Sequence, residues 1–252
     1  MSRGNRHYSA GYIWHITHRC HKKEFLLKFK KDRDCWLSWL FAAKKRYGLS
    51  VLNYNITSNH IHLICEDKEN QSIAKSMQLI AGRTAQAFNR RKNRQGAYWE
   101  DRYHATAIDT GEYLRQCLVY VDLNMVRAGV VNHPKEWRHS GYYEIQNPPQ
   151  RYRIINTELL CELLNLHTVE SLQKHLAEWS QQAMVNDKNM RAAKWSNSIA
   201  VGRHEFAENY IESLGLSGLK RTIHLVDDTC VVKEPSQPYS VVFDDEKRCL
   251  SE

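Results

Sequence analysis

The stretch that most constrains this chain is SVLNYNITSNHIHLICE, residues 50–66. Two β-rich runs, 50–57 and 60–66, are joined by the short turn TSN, which predicts an antiparallel hairpin. An amphipathic segment precedes it: in 32–47, Trp36, Leu37, Leu40, Phe41 and Ala43 recur at helical spacing, and Gly48 follows as a C-cap. Another follows it: in 71–92, Ile73, Met77, Ile80, Ala81, Thr84 and Phe88 keep the same period. A strand is predicted at 10–19, a further strand at 102–108, and a helix over 112–129 that stops at Gly129.

The order β-α-β-β-α-β-α is that of the split βαβ unit. It predicts an α+β, ferredoxin-like (RRM-like) antiparallel sheet with helices on one face, leaving the other face free for a ligand. Pro148 and Pro149 break the pattern, which divides the chain into a core, 1–147, and a C-terminal extension, 148–252. The extension is predicted mainly helical, at 157–186 and 203–215, with short β-like runs in 222–243 and a loose tail, DDEKRCLSE.

The 42% apolar content provides ample core material for 252 residues and excludes a disordered chain. No apolar run is long enough for a membrane span, and the N-terminus has no apolar segment of the secretory kind. The 7 cysteines are scattered without a CxxC, which fits reduced thiols in the cytoplasm better than a disulfide framework. A net charge of +8 favours polyanionic partners.

Residues His60 and His62 lie one residue apart on the second hairpin strand, so their side chains share a face. With 13 histidines in the chain, composition alone yields on the order of one such pair. Taken alone, the pair reads more readily as two solvated or core-edge histidines than as a metal clip, and a metal needs a further ligand. On the last core helix Tyr120 and Asn124 stand at i and i+4, on one stripe, with Arg127 near it. Spacing alone makes Tyr120 a core residue; an amide and an arginine beside it need polar company. The segment 82–105 combines Arg83, Arg90, Arg91, Lys92, Arg94 and Arg102 with Trp99 and Tyr103. Cations neutralise phosphates and aromatic faces stack on unpaired bases, although a solvated helix end explains the same composition. In HITHRCH, His15 and His18 fall on opposite faces of a strand, which argues against a zinc site.

Taken together, NHIHLI, SMQLIAGRTAQAFNRRKNRQGAYWEDRYHA, YLRQCLVYVDLNMVRAGVV and EWRHSGYY resemble the HUH-type single-tyrosine transposases of the bacterial insertion-sequence and REP-associated kind. The resemblance covers roughly residues 8–145 in the right order, and NSIAVGRHEF (197–206) is similar to C-terminal extensions of longer REP-associated members. It implies that Tyr120 is the nucleophile and that His60, His62 and Asn124 hold a divalent metal, Mg²⁺ or Mn²⁺. It also implies a single-stranded DNA endonuclease and strand transferase acting on hairpin, REP-like palindromes through a 5′-phosphotyrosine. The cations and aromatics of 83–103, with Arg127, would then contact the nucleic acid. The family's usual proline after the asparagine is Met125 here, so the helix is expected to run on smoothly. The resemblance further implies a bacterial, cytoplasmic protein, nucleoid-associated when bound to DNA, with no membrane partner, monomeric or homodimeric. Two other readings stay open: a non-catalytic nucleic-acid-binding regulator derived from a transposase, and an RNA-binding RRM-like module.

Overall fold

The computed structural model describes residues 11–67, 71–186, 193–218, 221–226 and 228–233; the predicted loose tail lies outside them. Strand β1 (Ile13–Arg19) leads into helix α1 (Lys30–Tyr47). The hairpin follows as β2 (Ser50–Ile56) and β3 (His60–Glu66). Helix α2 (Ser72–Lys92) and strand β4 (His104–Ile108) complete the core order. The strands are ordered β2-β3-β1-β4, and the β1–β3, β1–β4 and β2–β3 pairs are all antiparallel. This is the ferredoxin-like order that the element sequence predicts.

Strand alternation sorts the side chains of β1. Trp14 packs edge-on to Tyr210, and His18 stacks on Trp99, whose indole donates to the Ala81 carbonyl of α2. That face is closed by α1 and α2, which bury Trp36, Leu40, Ile73, Met77 and Ile80. Burying each such side chain stabilises the fold by roughly 1.5–3 kcal/mol. His15 takes the opposite face, with His62 and Tyr120. This second face is not left free. Helix α3 (Glu112–Asp122) packs against β2 and β4 there.

The segment expected to be one helix is broken at Leu123 into α3 and a short α4 (Asn124–Arg127). The break occurs without a proline, and side chains explain it. In a continuous helix the Tyr120 and Val121 carbonyls would accept from the amides four residues on. Here Tyr120's carbonyl accepts from the Arg127 guanidinium, and Val121's accepts from Asn55 Nδ2 at 2.8 Å.

Beyond the core come α5 (Gly141–Gln146), α6 (Thr157–Leu163), α7 (Val169–Asn186), α8 (Lys194–Asn197) and α9 (His204–Ser213). Three strands interleave with these or follow them: β5 (Ala200–Gly202), β6 (Thr222–Val226) and β7 (Thr229–Lys233). Strand β5 pairs parallel with β4, and β7 and β6 continue outward, so a single sheet has seven strands. A bidentate ion pair from Arg203 to Asp109, with Arg203 Nε at 2.8 Å, clips this addition to the end of β4. Among the described residues no helix is long and apolar enough to cross a membrane.

Candidate active site

Beside the ends of β1 and β3 a cleft of about 620 Å³ opens, lined by His60, His62, Tyr120 and Asn124. Arg19, Lys23 and Arg102 also line it, as do Glu100 and Asp101.

The two histidines hold their positions differently. His60 follows the turn, where the Thr57 hydroxyl donates to the His60 carbonyl at 2.8 Å. Its Nδ1 lies 2.7 Å from Asn59 Oδ1, an acceptor, so Nδ1 carries the proton and Nε2 keeps its lone pair. His62 is buried on the sheet, with its ring 4.9 Å from that of His60. Its Nε2 lies 2.8 Å from Asn124 Nδ2, which donates to it. Burial keeps both rings neutral: it pushes the His60 imidazolium down to about 4, helped by Arg19, and holds His62 well below the usual histidine range.

The break at Leu123 positions the other two groups. Tyr120 ends the last full turn of α3, and Asn124 begins α4. The Tyr120 ring lies 5.8 Å from that of His62, nearly perpendicular to it. Arg127 returns over the tyrosine with its guanidinium carbon 4.4 Å from the ring centre. Its Nη1 is buried and has no hydrogen-bond partner among the described residues, and Arg127 is not among the residues that line the cleft.

Among the described residues no three His, Cys, Asp or Glu side chains form a metal-holding group. The third donor on this face is an amide. Two neutral imidazoles that carry their lone pairs on Nε2, together with the oxygen of a carboxamide, form a donor set that suits a divalent cation.

Residues 9–124 match the family model described as "Transposase IS200 like". Residues 9–124 belong to the IS200-like transposase family. All four cleft residues, His60, His62, Tyr120 and Asn124, lie inside this IS200-like domain. No curated protein matches the chain. Among solved structures, a REP-associated tyrosine transposase bound to a REP hairpin is 16% identical, with a TM-score of 0.48. That match covers 62% of this chain and 94% of the other. A protein described as a transposase of Deinococcus radiodurans R1 is 15% identical, with a TM-score of 0.34, covering 46% and 92%.

The cations flagged in the IS200-like domain separate into two groups. Arg102 lines the cleft, and Tyr103 packs edge-on to His18 beside it. Arg83, Arg90, Arg91, Lys92 and Arg94 do not line it. Arg91 forms an ion pair with Asp32, and Arg94 donates to the Ala97 carbonyl at 2.9 Å and lies 3.6 Å from Glu24. Arg83 covers Trp39, and Lys92 covers Phe29. Trp99 is half-buried and stacks one face on His18, with centroids 4.0 Å apart.

Three contributors were not visible as site residues. His15 Nε2 lies 2.9 Å from His62 Nδ1, and burial pushes its own imidazolium down to about 3. The Trp195 carbonyl lies 2.9 Å from His15 Nδ1, and Ser196 Oγ lies 3.4 Å from the Tyr120 hydroxyl. Trp195 and Ser196 belong to α8, beyond the matched domain. The only signal in the sequence was the HITHRCH cluster itself, and it gives no hint of a partner about 180 residues away.

Proposed function

We propose that this protein is a metal-dependent single-stranded DNA endonuclease and strand transferase, with Tyr120 as nucleophile and hairpin DNA of the REP type as substrate. The observation that carries the reading is the convergence of Tyr120, His60, His62 and Asn124 on one cleft in an IS200-like transposase domain. The hairpin preference follows the sequence resemblance.

His60, His62 and Asn124 would hold the divalent ion, Mg²⁺ or Mn²⁺. When bound, such an ion polarises a phosphate oxygen and stabilises charge on a leaving alkoxide. The chain's own groups do the rest. Arg19, Lys23 and Arg102 neutralise the phosphates of a strand entering the cleft. Arg127, stacked over the Tyr120 ring and donating to the Tyr120 carbonyl, holds the tyrosine in place for the scissile phosphodiester. The Tyr120 oxygen attacks phosphorus, the P–O3′ bond breaks, and a tyrosyl–phosphate ester and a free 3′-OH result. The proton lost by the phenol equals the one gained at O3′, so the step is balanced. One phosphodiester replaces another, so a second 3′-OH can reverse the exchange on a different strand without a nucleotide cofactor.

The test is a labelled single-stranded hairpin incubated with protein and Mn²⁺ or Mg²⁺, then run on a denaturing protein gel. A covalent adduct that disappears in Tyr120→Phe is expected. Hairpin binding by folded wild-type protein with no adduct across a panel of palindromic substrates reduces the protein to a DNA-binding regulator.

A further inference from the structure

The IS200-like match ends at Asn124, yet the hydrogen bonds of the cleft continue into the C-terminal extension. We propose that His15, anchored by the Trp195 carbonyl, is a positioning residue that locks His62 in the tautomer with its Nε2 lone pair facing the cleft. The proposal deepens the functional reading above, but it concerns the metal-free protein.

Donors and acceptors decide which nitrogen of each ring carries the proton. A carbonyl only accepts, so His15 Nδ1, 2.9 Å from the Trp195 oxygen, carries the proton. A neutral imidazole has one ring proton, which leaves His15 Nε2 as an acceptor. That atom lies 2.9 Å from His62 Nδ1, so His62 Nδ1 must donate. The two ring planes lie within 8° of each other, as an in-plane N–H···N bond requires. His62 Nε2 is then left without a hydrogen, and it faces Asn124. The other His62 tautomer would set two lone pairs against each other at a fully buried contact. Neither ring gains or loses a proton in this arrangement; only its placement is decided.

The anchor is itself fixed. Thr106 Oγ1 of β4 lies 3.3 Å from the Trp195 carbonyl and 2.6 Å from that of Ser198. His104 Nε2, 2.9 Å from the Ser198 carbonyl, ties the same segment down. The Trp195 ring is buried against Tyr120, with centroids 6.3 Å apart. Residues 194–198 of the extension therefore complete the wall behind both the tyrosine and the histidine. A metal-ligating histidine whose second nitrogen is held in this way is a better-oriented ligand, and loss of the holding partner typically weakens metal binding about 10–100-fold.

The direct test is long-range ¹H–¹⁵N correlation NMR on metal-free, ¹⁵N-histidine-labelled protein, which distinguishes the two tautomers of His62. The Nδ1–H form is expected in the wild type. His15→Phe keeps a buried ring but removes both hydrogen bonds; it should release His62 toward the Nε2–H form. It should also weaken Mn²⁺ binding, measured by titration calorimetry, about 10–100-fold. His15→Gln, with an amide able to accept from His62 and donate to Trp195, should restore most of both. A wild-type His62 in the Nε2–H form overturns the proposal, and that measurement stands even if His15→Phe does not fold. A folded His15→Phe with unchanged tautomer and unchanged Mn²⁺ affinity overturns it as well. The expected tautomer in a protein that forms no covalent adduct would sink the nuclease reading and leave this one standing.

Discussion

Two regions of the IS200-like domain attract attention for opposite reasons, the cleft beside β1 and β3 and the basic end of α2. The four cleft residues are scattered over residues 60–124 and individually unremarkable. The α2 end has Arg83, Arg90, Arg91, Lys92 and Arg94 within twelve residues. In the folded molecule the scattered set converges, with His62 and Asn124 at 2.8 Å. The concentrated set is spent largely on local contacts: Arg91 on Asp32, Arg94 on Glu24 and Ala97, Arg83 and Lys92 on aromatic rings. Density of a residue type along a chain reports solvation and charge, whereas chemistry needs side chains that meet.

The contrast can be broken most sharply at Tyr120, the proposed nucleophile. Tyr120→Phe should reduce cleavage of a single-stranded hairpin by at least about a thousandfold, with binding by gel shift unchanged. His60→Ala should abolish cleavage as well, at any Mn²⁺ concentration that the wild type needs. Retained activity in either variant would remove the cleft from the chemistry.

Next in size is the contribution of each region to DNA affinity. Arg102→Ala, in the cleft, should flatten the salt dependence of single-strand binding by about 0.7 in the logarithmic slope. Arg83→Ala should change that slope by less, since its guanidinium covers Trp39. Equal slopes for the two variants would mean that the α2 end tracks the backbone as closely as the cleft does.

Behind the cleft, Asp122 is buried, accepts from Asn53 Nδ2 at 2.9 Å, and has its carboxyl pushed up by burial to about 7. The fold thus prefers the protonated acid. Its stability advantage is complete below the unfolded value near 4 and is lost as pH rises toward 7. Asp122→Asn should remove that loss, raising stability at pH 8 over wild type by about 4 kcal/mol while changing little at pH 4. Thermal melts of the two proteins across this range provide the check.

The smallest effect belongs to the basic region. Asp32 is buried but its partner Arg91 is partly exposed, so Arg91→Ala should lower stability by only about 1 kcal/mol, read as a urea midpoint. A loss several times larger would make the α2 end a keystone of the fold rather than a solvated edge.

The element order and the strand face shared by His60 and His62 were legible because they depend on local periods, two for a strand and 3.6 for a helix. The i, i+4 placement of Tyr120 and Asn124 was also legible, although the helix that carries it is broken. No residue preference marks the break at Leu123; it comes from Arg127 and Asn55 side chains taking the carbonyls that would have continued the helix. The joining of β5, β7 and β6 to the core sheet could not be read either, because strand partners leave no local trace. The same holds for His15. Its own neighbours in sequence suggested a failed zinc cluster, and its role depends on a carbonyl about 180 residues away. The sequence alone thus determined which chemical groups are present and which face of its own strand or helix each one occupies. The tertiary structure decided which groups meet, because hydrogen-bond direction and burial are properties of pairs that the chain brings together only when it folds.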